Sequence, residues 1–407
     1  MTWVSTRLKY LCTDSGQYGL NVSAESYTSS GVRLIRTSDI TASGALRSES
    51  TGIYVSAGID TRHRLQEGDI LLSRSGTLGR SFLVPAEADG YSFAGFLIRF
   101  RPQSCVDPRF LHFATKSTPF QSVVHSEAVS STIQNFNADR YANIPMYAPK
   151  EEEQRRIADF LDFETSKINT LLLKKHRLLS LMNERIDSRL LQYVGASQLV
   201  NPMSGTVAQP IRRLLTKVAR PPAAGRGVIT AYRDGQVTER GLRRTEGYTL
   251  PADTDPRGQL VHIGDVVVHG LDGFAGAIGT SEASGNCSPV YHVCVPIGDG
   301  NAHFLARLLR RLALQGYLGN FATSTRERAV DFRNWDLFGR IPIPAVPVEE
   351  QKELGEMIAK LRPLREAIKR SEVLARERRQ ALITAAVTGQ FDVSTASGRN
   401  VTDGVHV

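Results

Sequence analysis

The stretch Lys150–Val194, KEEEQRRIADFLDFETSKINTLLLKKHRLLSLMNERIDSRLLQYV, decides how this chain is built. It contains neither Gly nor Pro and is dense in Glu, Gln, Lys, Arg and Leu, the composition of one long helix. Ile157, Leu161, Ile168, Leu171, Leu178, Met182, Ile186 and Leu190 recur at helical spacing. At ~1.5 Å per residue the helix would reach roughly 65 Å, well beyond an ordinary globular helix. A stripe of that length stays in water unless a second helix covers it.

The covering helix is in the same chain. IPMYAPKEEEQ (Ile144–Gln154) and IPIPAVPVEEQ (Ile341–Gln351) align without a gap, at an offset of 197 residues from 144 to 341. A charged amphipathic stretch follows each. In the second, Leu354, Leu361, Ile368, Ala375 and Leu382 repeat every seven residues, a coiled-coil seam. Pro363 interrupts it and should kink the helix or divide it into two segments. The expected fold class is α+β. Two tandem β-rich mixed α/β domains are joined and followed by two long helices that pack as an antiparallel coiled coil. The expected boundaries are 1–149 and 195–346 for the domains, 150–194 and 347–393 for the helices, and 394–407 for a disordered tail.

Composition narrows the class. The 407 residues are 41% hydrophobic and 22% charged, as in globular proteins. No apolar run reaches eighteen residues, and Met1-Thr2-Trp3 opens no apolar leader, so the expected location is the cytoplasm. Cys12, Cys105, Cys287 and Cys294 form no CxxC pair. Cys287 and Cys294 flank His292, but without metal-ligand spacing they read as buried thiols. A net charge of +9 and a pI near 9.5 favour a polyanionic partner, of which nucleic acid is the commonest.

Along the first domain, Gly31–Ile40 reads as a strand entering a polar turn. Gly68-Asp69-Ile-Leu-Leu-Ser-Arg74-Ser-Gly76-Thr-Leu-Gly79-Arg80 reads as a buried strand followed by a Gly-rich reversal. Phe93–Phe100 is a further strand, Asp107-Pro108 opens a helix, and Ser126–Asn137 is a polar loop. The second domain repeats this plan loosely, Gly264-Asp265-Val-Val-Val-His269 answering Gly68–Ser73 and Phe304-Leu305 answering Phe110-Leu111. Between these anchors the halves share little, as expected of a common scaffold presenting two different recognition faces.

Catalytic signatures are missing. Ser75–Ser81 has glycines but no Gly-Lys-Ser/Thr, so it is no nucleotide P-loop. Asp272-Gly-Phe274-Ala-Gly276-Ala-Ile-Gly279 resembles the S-adenosylmethionine loop of DNA amino-methyltransferases. Its last glycine falls one place late, and no Asn/Asp-Pro-Pro-aromatic motif accompanies it. No zinc-protease helix, nucleophile elbow or nuclease carboxylate cluster occurs. Glu151–Glu153 and Glu349-Glu350 complement helix dipoles.

Recognition chemistry is better represented, because Arg, Lys, Asn and Gln hold phosphates and read base edges. The candidates in the first domain are Arg33, Arg36, Arg74, Ser75, Thr77, Arg80 and Lys116, with Ser131, Gln134, Asn135 and Asn137 on the polar loop. In the second they are Arg233, Arg240, Arg243, Arg244, His269, Arg326 and Arg328.

In order and duplication, these motifs resemble the specificity subunit of type I restriction–modification systems. The resemblance rests on Gly68–Arg80, on Ile-Pro with Glu-Glu-Gln before each long helix, and on Leu382-Ile-Thr-Ala-Ala-Val-Thr-Gly389-Gln-Phe-Asp392 at the end. It implies a non-catalytic subunit in which each domain reads one half of a split DNA site. The helices would fix the gap and dock two methyltransferase subunits, and through them the restriction subunits. It places S-adenosylmethionine, ATP and magnesium on those partners and no cofactor or metal on this chain. A modification-only subunit, a methyltransferase and a protein-binding scaffold are the competing readings.

Overall fold

The computed structural model describes residues 3–41, 44–47, 52–56, 58–129, 135–194, 208–243, 258–321 and 331–395. The chain divides into two compact units, Met1–Leu173 with Arg370–Val407, and Lys174–Lys369. Each unit thus takes in a half of each long helix.

The strands of the first unit are β1 (Val4–Arg7), β2 (Gln17–Tyr18), β3 (Val32–Ile35), β4 (Ile53–Val55), β5 (Ile70–Ser73), β6 (Ser81–Leu83), β7 (Ser92–Phe93), β8 (Leu97–Phe100) and β9 (Pro145–Ala148). They form a four-stranded sheet in the order β2-β8-β5-β6, a three-stranded sheet β4-β3-β7 and the pair β1-β9. The central strand β5 has no polar face because both of its faces are covered. Ile70 and Leu72 point into a core with the helices α1 (Pro108–Lys116), α2 (Thr118–Val129) and α3 (Ala138–Ala142). Leu71 points the other way, to Ile35, Phe82, Phe93 and Leu97. The helix α4 (Glu151–Val194) follows β9 directly.

The second unit repeats the arrangement with β10 (Ala208–Pro210), β11 (Leu215–Lys217), β12 (Ile229–Ala231), β13 (Val237–Glu239), β14 (Gln259–Val261), β15 (Val266–His269), β16 (Ile278–Thr280), β17 (Gly285–Cys287), β18 (Tyr291–Pro296) and β19 (Pro342–Pro344). Its four-stranded sheet runs β11-β18-β15-β16, and β10 pairs with β19 as β1 does with β9. Val266 and Val268 face one core and Val267 the other, as in β5. The helices α5 (Ala302–Leu314) and α6 (Trp335–Phe338) answer α1 and α3. After them come α7 (Val348–Ala359) and α8 (Leu361–Val387).

The Gln that ends each Glu-Glu-Gln motif explains why the motif is duplicated. Gln154 is buried; its Oε1 accepts from the Asp107 backbone N–H at 3.0 Å and its Nε2 donates to the Pro149 carbonyl at 2.8 Å. Gln351 does the same with the Asn301 N–H at 3.2 Å and the Val346 carbonyl at 2.8 Å. Each amide ties the start of α1 or α5 to the start of a long helix. Asp107 itself caps α1 through Arg109 N and Phe110 N at 2.8 and 3.2 Å, with Pro108 first in the helix.

Within the first unit, Ile157, Leu161 and Ile168 share a core with Leu382, Ile383 and Ala386. Within the second, Ile186 and Leu190 share one with Leu354 and Leu361. The early half of one helix therefore meets the late half of the other, which is antiparallel pairing. Ile368 is buried as well.

Several expectations need adjustment. Leu171 and Leu178 are 53% and 50% exposed and lie off the seam. Leu172 and Leu179, one residue later, pack into the cores instead, and Met182 is partly buried beside them. The buried stripe of α4 keeps an eleven-residue spacing, Ile157, Ile168, Leu179 and Leu190, which is close to three turns of an unsupercoiled helix. Counting by sevens drifts off that line by about 20° per step.

Of the two outcomes expected at Pro363, the stretch takes the second: it is two helical segments rather than one kinked helix. The break comes at Lys360, between α7 and α8, and Pro363 lies in the first turn of α8, where no backbone N–H is needed. Phe93–Phe100 is two strands, because the chain reverses between them with Leu97 N donating to Ala94 O at 2.9 Å. The polar loop starts later than Ser126, since α2 continues to Val129. Val393–Thr395 is a 3-10 turn in which Asp392 accepts from Ser394 N at 2.9 Å, and residues 396–407 lie outside the described set. No described helix is long and apolar enough to cross a membrane.

Candidate nucleic-acid interface

The turn after β5 builds the first candidate surface. Gly76 and Gly79 take φ of 72° and 71°, a left-handed conformation that favours glycine, and the reversal returns the chain to β6. Tyr141 of α3 locks it from beneath: its hydroxyl donates to Ser73 O at 2.7 Å and accepts from Gly79 N at 3.1 Å. Burial raises the Tyr141 pKa, which keeps this hydroxyl protonated.

Arg74 leaves this turn toward a cleft of about 530 Å³ lined also by Tyr18, Tyr27, Arg36, Ser75, Phe96 and Asn135. Its guanidinium lies 4.7 Å over the Tyr18 ring, and its Nε donates to Asn135 Oδ1 at 3.1 Å. A guanidinium held flat by an aromatic face and an amide presents its remaining donors in a fixed plane, which suits a phosphate or a guanine edge. Arg36 shares the cleft but is forked onto Asp39 at 3.2 and 2.9 Å. Phe96 stands 65% exposed at the rim, an apolar surface on which a base can stack.

The second unit has a different cleft, of about 500 Å³, which gathers Arg233, Arg240, Arg243 and His269 with Tyr232, Asp234, Asp272 and Tyr291. Arg243 lies 4.1 Å over the Tyr232 ring and bonds Asp234 at 2.9 Å; Arg233 bonds Asp272 at 2.8 Å. His269 Nδ1 accepts from the backbone N–H groups of Leu271 and Asp272 at 3.1 and 3.0 Å, so the neutral ring carries its proton on Nε2. Burial lowers its pKa from 6.5 and favours that neutral form at pH 7. Donors and carboxylate acceptors alternate here, a pattern suited to base edges rather than to bare phosphate.

Other candidates have different surroundings. Thr77, Arg80 and Lys116 line a separate pocket with Arg376 and Arg379 of α8. Arg80 donates to Ile40 O at 2.7 Å, and the Ser73 hydroxyl donates to Thr77 O. Arg33 is buried and donates to Arg47 O at 2.9 Å. Asn137 caps α3 by accepting from Arg140 N at 2.9 Å. Ser131, Gln134, Arg244, Arg326 and Arg328 lie outside the described residues. Sequence reading passed over Tyr18, Phe96 and Tyr232, lone aromatics without a motif. It also passed over Arg376 and Arg379, two of many charged residues in an amphipathic helix.

The thiols beside His292 have structural surroundings. Burial pushes Cys287 and Cys294 up to about 12, and His292 Nε2 meets Phe332 O at 2.5 Å. Among the described residues no three His, Cys, Asp or Glu side chains converge as metal ligands would. The loop at Asp272 forms the turn that answers Gly76–Gly79, with Gly276 at φ 93°.

Residues 3–177 match the type I restriction modification DNA specificity domain. No curated protein matches the chain. The crystal structure of the HsdS subunit from Thermoanaerobacter tengcongensis aligns over 96% of this chain and 97% of its own, at 15% identity and a TM-score of 0.52. A structure described as the basis of complex assembly and conformational transition of the type I R-M system aligns over 96% and 98%, at 14% identity and a TM-score of 0.62. These two share the fold over nearly the whole chain.

Proposed function

We propose that this chain, whose residues 3–177 match the type I restriction modification DNA specificity domain, is a specificity subunit of that kind and that each of its units reads one half of a bipartite DNA site. The observation that carries this reading is one scaffold built twice with two chemically different clefts. The ladder order, the buried Gln and the glycine turn are repeated, whereas Arg74–Tyr18–Asn135 in one unit faces the Arg–Asp pairs around His269 in the other. A duplicated protein with identical clefts would read a palindrome; this one reads two unlike halves.

The paired long helices fix the separation of the half-sites, as dimer spacing does in other DNA-binding proteins. They also dock two methyltransferase subunits and, through these, the restriction subunits, in the cytoplasm. The chain is non-catalytic, and S-adenosylmethionine, ATP and magnesium act on the partners. Specificity then resides in cleft chemistry and spacing in helix length. Selection of bound duplexes from a random pool by the full chain with its methyltransferase partner tests the proposal. Two specified segments around a fixed unspecified gap are expected; a single continuous motif contradicts it.

A further inference from the structure

One surface of the first unit gathers cations without carboxylates. A pocket of about 440 Å³ lies where the glycine turn, the end of α1 and the late half of α8 meet, and it is lined by Arg80, Lys116, His125, Arg376 and Arg379 with no Asp or Glu. Arg80 is engaged with Ile40 O and Thr77 Oγ1, at 2.7 and 3.4 Å. Among the described residues no side-chain hydrogen bond or ion pair engages Lys116, Arg376 or Arg379. The carboxylate that acts on Lys116, Asp162, already accepts from Arg109 at 3.1 Å. Burial first, and then Arg379, brings the Lys116 pKa down from 10.5 to about 8. Like charges held together out of water are destabilising unless an anion joins them.

The second unit supplies an internal control. Lys116 stands six residues after Phe110, and Arg310 stands six after its counterpart Phe304. Arg310 donates to Gly276 O and Arg233 O at 3.2 and 3.1 Å, so it is used up on backbone carbonyls. Its neighbours are neutralised from within the unit, Arg307 by Asp187 at 2.8 Å and Arg365 by Glu282 at 3.4 Å. The same place in the fold is internally compensated in one unit and left cationic in the other.

We propose that the pocket between Lys116 and the Arg376–Arg379 turn of α8 is a phosphate-binding site, which makes the last helix part of the anion-binding surface of the chain. Two sources carry that chemistry, the backbone of duplex DNA and free phosphate. The DNA source rests on the DNA-reading role above; the site itself does not. A phosphate here fixes the DNA without reading its sequence, so the first unit grips while the Arg74 cleft discriminates.

The test compares the full chain with Lys116→Met/Arg379→Gln and, in case that variant folds poorly, with the exposed single change Arg376→Gln. Affinity for a random-sequence duplex is measured between about 50 and 200 mM salt, and thermal unfolding is followed against inorganic phosphate. If the DNA backbone is the source, affinity falls on the order of tenfold and the salt slope drops by about 0.9 for each phosphate no longer neutralised, with half-site preferences intact. If free phosphate is the source, DNA binding is unchanged and phosphate raises the unfolding temperature of the parent but not of the variants. A variant indistinguishable from the parent in both measurements overturns the site. A parent chain that binds no DNA at all would overturn the DNA-reading role instead, and the phosphate titration would still judge the pocket.

Discussion

Lys116 shows what a single residue costs this fold. Its folded pKa of about 8 lies below the unfolded value of 10.5, so between those pH values the unfolded chain holds the extra proton. Stability therefore rises with pH across that window, and below it the charged amine opposes folding. Lys116→Met is expected to stabilise the protein at pH 7 by about 1–3 kcal/mol and to abolish the rise toward pH 10. Urea midpoints at the two pH values check this; a rise that persists in the variant would show another group to be responsible. Arg74→Ala acts differently. It is expected to relax the preference at one half-site by about 1–3 kcal/mol and leave the other untouched, as selected duplexes would show. Simultaneous loss of both preferences in a folded protein contradicts modular reading. At this scale the sequence was only partly legible. Arg74, Arg233 and His269 were candidates as basic or polar residues of the two domains, and each lines a cleft. Arg33 looked the same in the sequence yet is buried, because the direction of a side chain on β3 is decided by β4 and β7, far along the chain.

At the scale of elements, α4 offers a comparison one residue wide. Leu172→Ala or Leu179→Ala is expected to cost about 1–3 kcal/mol, while Leu171→Ala or Leu178→Ala stays within about 0.5 kcal/mol. Equal losses in denaturant unfolding would put Leu171 and Leu178 back on the buried stripe. Gln154→Ala leaves the Asp107 N–H and the Pro149 carbonyl without their partner, at an expected cost of about 2–4 kcal/mol, and Gln351→Ala should match it. Existence and type of the long helices were plain from composition, because a Gly- and Pro-free run of that length has few alternatives. Which leucines face inward was not. A stripe of heptads and a stripe of elevens diverge slowly, and only packing partners decide between them. Pro363 was flagged as a breaker, but the break falls three residues earlier, where the proline can sit in a first turn.

For the whole molecule, the repeat of Ile-Pro and Glu-Glu-Gln was enough to expose the duplication, since buried polar anchors change less freely than surface loops. The clefts were hidden because they join residues such as Tyr18, Arg74 and Asn135 that only the fold brings together. Inserting four residues after Leu172, with a matching turn after Lys369, is expected to lengthen the gap between half-sites by about 2 base pairs, as a rise of ~1.5 Å per residue requires. Neither half-site should change, and an unchanged gap would remove the helices from the role of spacer. If one chain specifies one split sequence, mapping methylated bases across the genome of the host, with this gene intact and deleted, tests that most directly. Deletion is expected to erase methylation at one bipartite motif of two unlike halves around a constant gap; methylation that survives deletion at every motif would contradict it.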